Sequence, residues 1–190
     1  METQIASNGR LEKFAGILGF TVIALFGIFI AYTGKLEGVS MVSFAMWCCL
    51  DILLWAIAKR RGEVPLLIIG WTVSTIGVTV LFAIFGASWH IGTPEVVAML
   101  CVAIAAGGLW HWQKDAKASY AGGVALYLSG IPQTILAYQN PLPETWWFWL
   151  MATTATGLSL YAKRGGSKES LFAERLIVFS QATIFLLTVR

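Results

Sequence analysis

Apolar runs of about twenty residues alternate along this chain with short polar connections. The runs cover residues 14–32, 40–58, 64–87, 93–112, 119–138, 145–162 and 170–189. About 20 helical residues cross a hydrocarbon core of roughly 30 Å, so the pattern predicts an all-α integral membrane protein with seven transmembrane helices. Residues 1–13, METQIASNGRLEK, are polar, and the apolar run that follows is too long for a signal-peptide core. No small-residue cleavage site follows it, so it is expected to stay as the first helix. The connections are too short for a soluble domain, and residues 1–190 read as one polytopic unit.

Composition agrees with the pattern. The chain is 57% hydrophobic and 12% charged, about half the charged fraction of a typical soluble domain, roughly 25%. Its basic residues gather in alternate connections: Arg10 and Lys13, then Lys59, Arg60 and Arg61, then Lys114 and Lys117, then Lys163, Arg164 and Lys168. The other connections and the C-terminus hold only Lys35 and Arg190. Positive charge is retained on the cytoplasmic side, which predicts a multi-pass protein of the cell membrane, N-terminus cytoplasmic and C-terminus outside. The net charge of +3 is thereby a matter of topology and gives no support to nucleic-acid binding.

Two echoes suggest an internal repeat. Ile30-Ala31-Tyr32 recurs as Leu136-Ala137-Tyr138, 106 positions on, and Ala58-Lys59-Arg60 recurs as Ala162-Lys163-Arg164, 104 positions on. Residues 14–87 and 119–189 then form two three-helix units, with residues 93–112 as a linker helix between them. An odd number of linker helices leaves both units with the same sense across the bilayer. Parallel repeats of this kind are a transporter architecture with the solute site between the units.

Residues 126–141, LYLSGIPQTILAYQNP, set Pro132 and Gln133 inside the fifth run. Proline inside a helix removes the hydrogen bond to the Leu128 carbonyl and kinks the chain. Membrane helices tolerate this where a neighbour or a cavity satisfies the freed group. Pro132 is therefore the candidate hinge of a moving helix, the alternative being a kink that serves packing alone. The stretch resembles the PQ-loop signature of the superfamily that includes SWEET sugar transporters, cystinosin-type exporters and Pnu-type vitamin transporters. Residues 34–40 with Met46-Trp47, and 144–149 with 160–163, are similar to the corresponding parts of nicotinamide riboside transporters. In the first unit Phe26-Gly27 stands where a second Pro-Gln would align. The resemblance implies a 3+1+3 fold, and the N-inside orientation agrees with the Pnu-type branch rather than with SWEET proteins.

Binding chemistry must come from polar groups within the runs. Asp51 is foremost, because a carboxylate at bilayer depth costs roughly 2.5–3.5 kcal/mol on insertion scales and so faces the bundle interior. Ser43, Trp47, Asp51 and Trp55 recur at four-residue steps and are expected on one face, pairing an anion with aromatic rings. Trp71, Thr75, Gln133, Trp149, Thr153 and Gln181 complete the candidate substrate-binding set; Thr72, Thr79, Thr156 and Ser180 are further polar residues at helical spacing. Thr75 and Gln181 are related by the 106-residue offset. Bonding of Ser and Thr to their own helix is the competing reading, and Trp89, Trp110, Trp112 and Trp146 read as interfacial anchors. Glu174 and Arg175 are expected to reach the interface or brace a gate, and 93–95, Thr-Pro-Glu, reads as an N-cap followed by an acidic first turn.

Other chemistries lack their residues. The seventh run holds no lysine for a retinal Schiff base, and neither a Walker-type loop nor an HExxH pair occurs. Cys48, Cys49 and Cys101 have neither disulfide nor zinc spacing, and His90 and His111 fall on opposite sides. No catalytic residue, metal site or cofactor is expected. The expected function is transport or facilitated diffusion of a small polar organic solute, a cationic aromatic such as nicotinamide riboside or thiamine fitting the Asp51 face. The alternatives are a non-transporting receptor, scaffold or assembly factor on the same fold, and a SWEET-like sugar transporter. The expected partners are the solute and the lipid bilayer, with self-association into a homo-oligomer left open.

Overall fold

Long apolar runs favour helices, and in the computed structural model every regular element among the described residues is helical; those residues are 2–35, 39–60, 66–86, 89, 91–115, 117–162, 164 and 168–190. Arg61, His90 and Lys163, used in the charge and metal expectations, lie outside them, as do residues 36–38. The helices are α1 (Glu2–Thr33), α2 (Met41–Arg60), α3 (Leu66–Ile84), α4 (Thr93–His111), α5 (Lys117–Ser129), α6 (Ile131–Gln139), α7 (Trp146–Ala162) and α8 (Lys168–Thr188), with a 3-10 turn at Pro143–Thr145. Four spans, Lys13–Thr33, Met41–Arg60, Thr93–His111 and Leu171–Thr188, are long and apolar enough to cross a membrane, and Ile68–Ile84 is a shorter apolar helix. The chain has the character of a multi-pass helical membrane protein.

The fifth apolar run differs from its expected form. It is two helices, α5 and α6, separated at Gly130, rather than one kinked helix. The Gly130 amide donates to Tyr127 O at 3.1 Å, a three-residue closure that ends α5, and Gly130 O accepts from Thr134 N at 2.9 Å as α6 begins. Pro132 falls in the first turn of α6, where its missing N–H deprives the helix of nothing. A second small difference concerns α4: Gly92, not Thr93, is its N-cap, and Glu95 Oε2 accepts from the Gly92 amide at 2.9 Å.

Small residues set the helix spacing. An added Cβ at Gly19 would lie 2.5 Å from Trp71 Nε1, and one at Gly27 would lie 2.7 Å from a Val78 methyl, so α1 and α3 approach closely. Likewise, an added Cβ at Gly123 would lie 2.6 Å from the Ala173 Cα, so α5 lies close against α8. α3 packs on both α1 and α2, and α8 packs on α5, α6 and α7. α1 lies along α7, α2 meets α5 and α6, and α4 is laid against α5, α2 and α6.

The two ends of the bundle differ in character. At the basic end the Arg60 guanidinium lies 4.2 Å from the centre of the Trp110 ring and that of Arg164 lies 4.2 Å from Tyr161. At the far end, Lys35 and Glu144 join the α1–α2 and α6–α7 connections. The hydrogen bond from Lys35 holds the Glu144 carboxyl below its ordinary value. Arg190 at the chain end donates to the Tyr138 carbonyl.

Candidate functional site

An aromatic layer spans the bundle toward the far end. Phe26 of α1 stacks on Phe148 of α7 with ring centres 3.9 Å apart, and Phe44 of α2 meets Phe82 of α3 at 5.2 Å. Phe44 also touches Trp47 at 5.0 Å, and Trp149 reaches Phe148 at 4.6 Å and Trp47 at 6.4 Å. Residues of α1, α2, α3 and α7 thus join in one buried cluster. Phe26 provides the centre of this layer, and Gly27 beside it gives a close approach to α3.

On the basic side of the layer lies a cavity of about 580 Å³. Its lining runs from Phe44, Phe148, Trp47 and Trp149 to Lys114 and Asp115, which are exposed at the basic end. Six of the nine candidate binding residues line it: Trp47, Asp51, Trp71, Thr75, Trp149 and Gln181.

Asp51 is 8% exposed. Its Oδ2 accepts from Thr75 Oγ1 at 2.9 Å, which ties α3 to this turn of α2; the Thr72 hydroxyl lies 3.2 Å from the Asp51 main-chain carbonyl but closer, at 2.7 Å, to the Ile68 carbonyl of its own helix. The Thr75 hydroxyl also lies 2.8 Å from the Trp71 carbonyl of its own helix. Its one proton thus has acceptors within reach in both Asp51 Oδ2 and that carbonyl. Among the described residues no lysine or arginine forms an ion pair with Asp51.

A second polar pair stands on the α7–α8 wall. Thr156 Oγ1 is hydrogen-bonded to Gln181 Oε1, and both side chains are buried and line the cavity. A hydroxyl–carboxylate pair on the α2–α3 wall thus stands together with a hydroxyl–carboxamide pair on the α7–α8 wall. Nearer the basic end Glu174 lines the cavity at 7% exposure, its Oε1 accepting from Ser159 Oγ at 3.4 Å. Glu174 is therefore turned inward rather than out to the interface. The seven-residue step from Glu174 to Gln181, two helical turns, was the signal that would have put both on one face.

The other candidates lie elsewhere. Thr153 bonds to the Trp149 carbonyl of its own helix at 2.7 Å and is not part of the lining. Trp55 is 39% exposed and carries Lys59 5.4 Å from its ring centre, so it leaves the Asp51 face. Four-residue steps drift by about 40° each on a 3.6-residue helix, and three of them turn Trp55 about 120° from Ser43. Ser43 and Gln133 are buried together beyond the aromatic layer: Gln133 Oε1 accepts from Ser40 N at 2.8 Å, and Gln133 N donates to Ser43 Oγ at 3.1 Å. Trp89, Trp110, Trp112 and Trp146 are all exposed.

Among the described residues no three His, Cys, Asp or Glu side chains converge in a way that could hold a metal ion. No protein-family model, curated protein or solved structure matches the chain.

Proposed function

We propose that this protein is a membrane transporter or facilitator for a small polar organic solute, with a cationic aromatic compound as the preferred class. The observation that carries the reading is Asp51, a buried carboxylate without a described ion-pair partner, lining a cavity walled by Trp47, Trp71 and Trp149. An anion framed by aromatic faces attracts a flat cation by Coulomb, cation–π and stacking contacts together. Glu174 adds a second carboxyl group along the same path. A pocket of about 580 Å³ falls within the range of small-molecule sites, roughly 300–1,000 Å³. An open centre of this size counts against a purely structural scaffold.

The reading includes seven crossings in a 3+1+3 arrangement, α5 and α6 together making the fifth. The packing supports it: in each half the third helix, α3 or α8, packs on both other helices of its unit, and the contact of α1 with α7 is answered by that of α5 and α6 with α2. That reciprocity is expected of two units related by a pseudo-two-fold axis along the membrane normal. α4 is then the linker that keeps both units parallel. With the basic end cytoplasmic, the cavity opens inward and the aromatic layer closes the outer side, as one state of an alternating-access cycle. The PQ-loop resemblance, with its Pnu-type branch, belongs to the same reading.

Uptake into proteoliposomes loaded with buffer and challenged with thiamine, nicotinamide riboside, an uncharged nucleoside, a neutral amino acid and a hexose tests it. Saturable uptake of the cationic compounds is expected. Retention of none of them above protein-free vesicles would overturn the transport reading.

A further inference from the structure

The break between α5 and α6 lies outside the cavity, yet its polar contacts converge on one helix that lines it. Gln133 holds the start of α2 at two points: its carboxamide oxygen takes the Ser40 N–H at 2.8 Å, and its own N–H, released from helical bonding by the break, goes to Ser43 Oγ at 3.1 Å. Ser40 Oγ in turn accepts from Ser43 N at 3.3 Å as the cap of the same turn. One turn away, Gly130 lies against both α8 and α2, where an added Cβ would meet Ser180 Oγ at 2.8 Å and Trp47 Cζ2 at 3.6 Å. Lys35 and Glu144 join neighbouring connections at this same end.

We propose that Gln133 is a positioning residue that latches the far end of the bundle shut and sets the height of Trp47 and Asp51 in the cavity. Ser43, Trp47 and Asp51 sit on successive turns of one unbroken helix, so a displacement of the first turn is carried to the carboxylate. The latch is reversible for a physical reason. A main-chain N–H deprived of its acceptor in a dry interior costs the full desolvation penalty, whereas the same group exposed by opening of the far end bonds to water at little net loss. The two hydrogen bonds therefore favour the closed end without making it permanent. The Pro-Gln pair divides the work: Pro132 starts α6 without needing an acceptor, and Gln133 anchors that start to the opposite unit.

This inference rests on the transport reading, but its test does not require a substrate. Cys48, Cys49 and Cys101 are replaced by alanine, and Ile23→Cys, in the cavity lining, serves as reporter in reconstituted vesicles. A membrane-impermeant maleimide is applied from each side separately. With Gln133 present, labelling is expected from the basic end alone. Gln133→Met keeps the volume and removes the acceptor, and it is expected to raise labelling from the far end about tenfold, the population shift produced by one lost buried hydrogen bond. Gln133→Glu keeps an acceptor oxygen and is expected to restore one-sided labelling. Ser43→Ala removes the second bond and gives the same readout where Gln133→Met yields no folded protein. Far-end labelling unchanged in both Gln133→Met and Ser43→Ala, or raised equally by Gln133→Glu, overturns the latch. Absence of uptake by the unaltered protein overturns the transport reading instead, and leaves the labelling result to decide the latch.

Discussion

Replacing Asp51 with asparagine separates charge from shape at the centre of the cavity. The amide nearly matches the carboxylate in size and still offers an oxygen to the Thr75 hydroxyl, which now donates at 2.9 Å to Oδ2. Folding should therefore be preserved. What disappears is the Coulomb attraction for a bound cation. At about 4 Å and an effective dielectric constant near 20 that attraction is about 4 kcal/mol. Asp51 is only 8% exposed, so screening by water is weak, but desolvation of the cation offsets part of the gain. A net loss of roughly 2–4 kcal/mol follows, or about 30- to 1,000-fold in Kd. Stacking on Trp47, Trp71 and Trp149 does not depend on the charge, so an uncharged compound of similar shape should weaken by less than about threefold. Titration of purified protein in detergent with thiamine and with an uncharged nucleoside, followed by tryptophan fluorescence, measures both. Equal affinities of the Asn variant and the unaltered protein for the cation would refute the counter-charge role. So would an equal weakening for charged and uncharged compounds.

Two further predictions follow from the packing and the far-end pair. Gly123→Ala puts a Cβ 2.6 Å from the Ala173 Cα, so α5 and α8 must separate, and a loss of about 1–3 kcal/mol is expected in thermal unfolding in detergent; Gly157→Ala, whose Cβ meets nothing within 4 Å, should be neutral or gain up to about 1 kcal/mol from helix propensity. Equal shifts in the two variants would refute the close approach. Glu144, held below its ordinary value by the hydrogen bond from Lys35, contributes to the closure of the far-end loops above the unfolded-state value, and loses that contribution as pH falls through its own lower midpoint. A side-chain NMR titration should find that midpoint below the ordinary glutamate range, and Lys35→Ala should return it there; an unchanged midpoint in Lys35→Ala would show that the pair does not form.

Much of the architecture is written in the chain because bilayer thickness fixes helix length and the low dielectric admits few polar groups. Helical class, the limits of the long spans and the prominence of Asp51 follow from that constraint on local sequence alone. The span expected at 14–32 is found as Lys13–Thr33, and that at 93–112 as Thr93–His111. Six candidate residues from four helices line one cavity, since a polar or aromatic side chain in an apolar run has few places to go but inward. Tertiary structure decided what depended on angle and partner. Trp55 left the Asp51 face because a four-residue step accumulates drift, while Glu174 was turned inward, where its Oε1 lies 3.4 Å from Ser159 Oγ, fifteen positions before it in the chain. Proline in an apolar run announces a disturbed helix, but Pro132 itself has no amide to place; just past the break at Gly130 it is the Gln133 amide that is received by another helix. Here the receiver is Ser43, ninety residues away, and no local pattern could have named it.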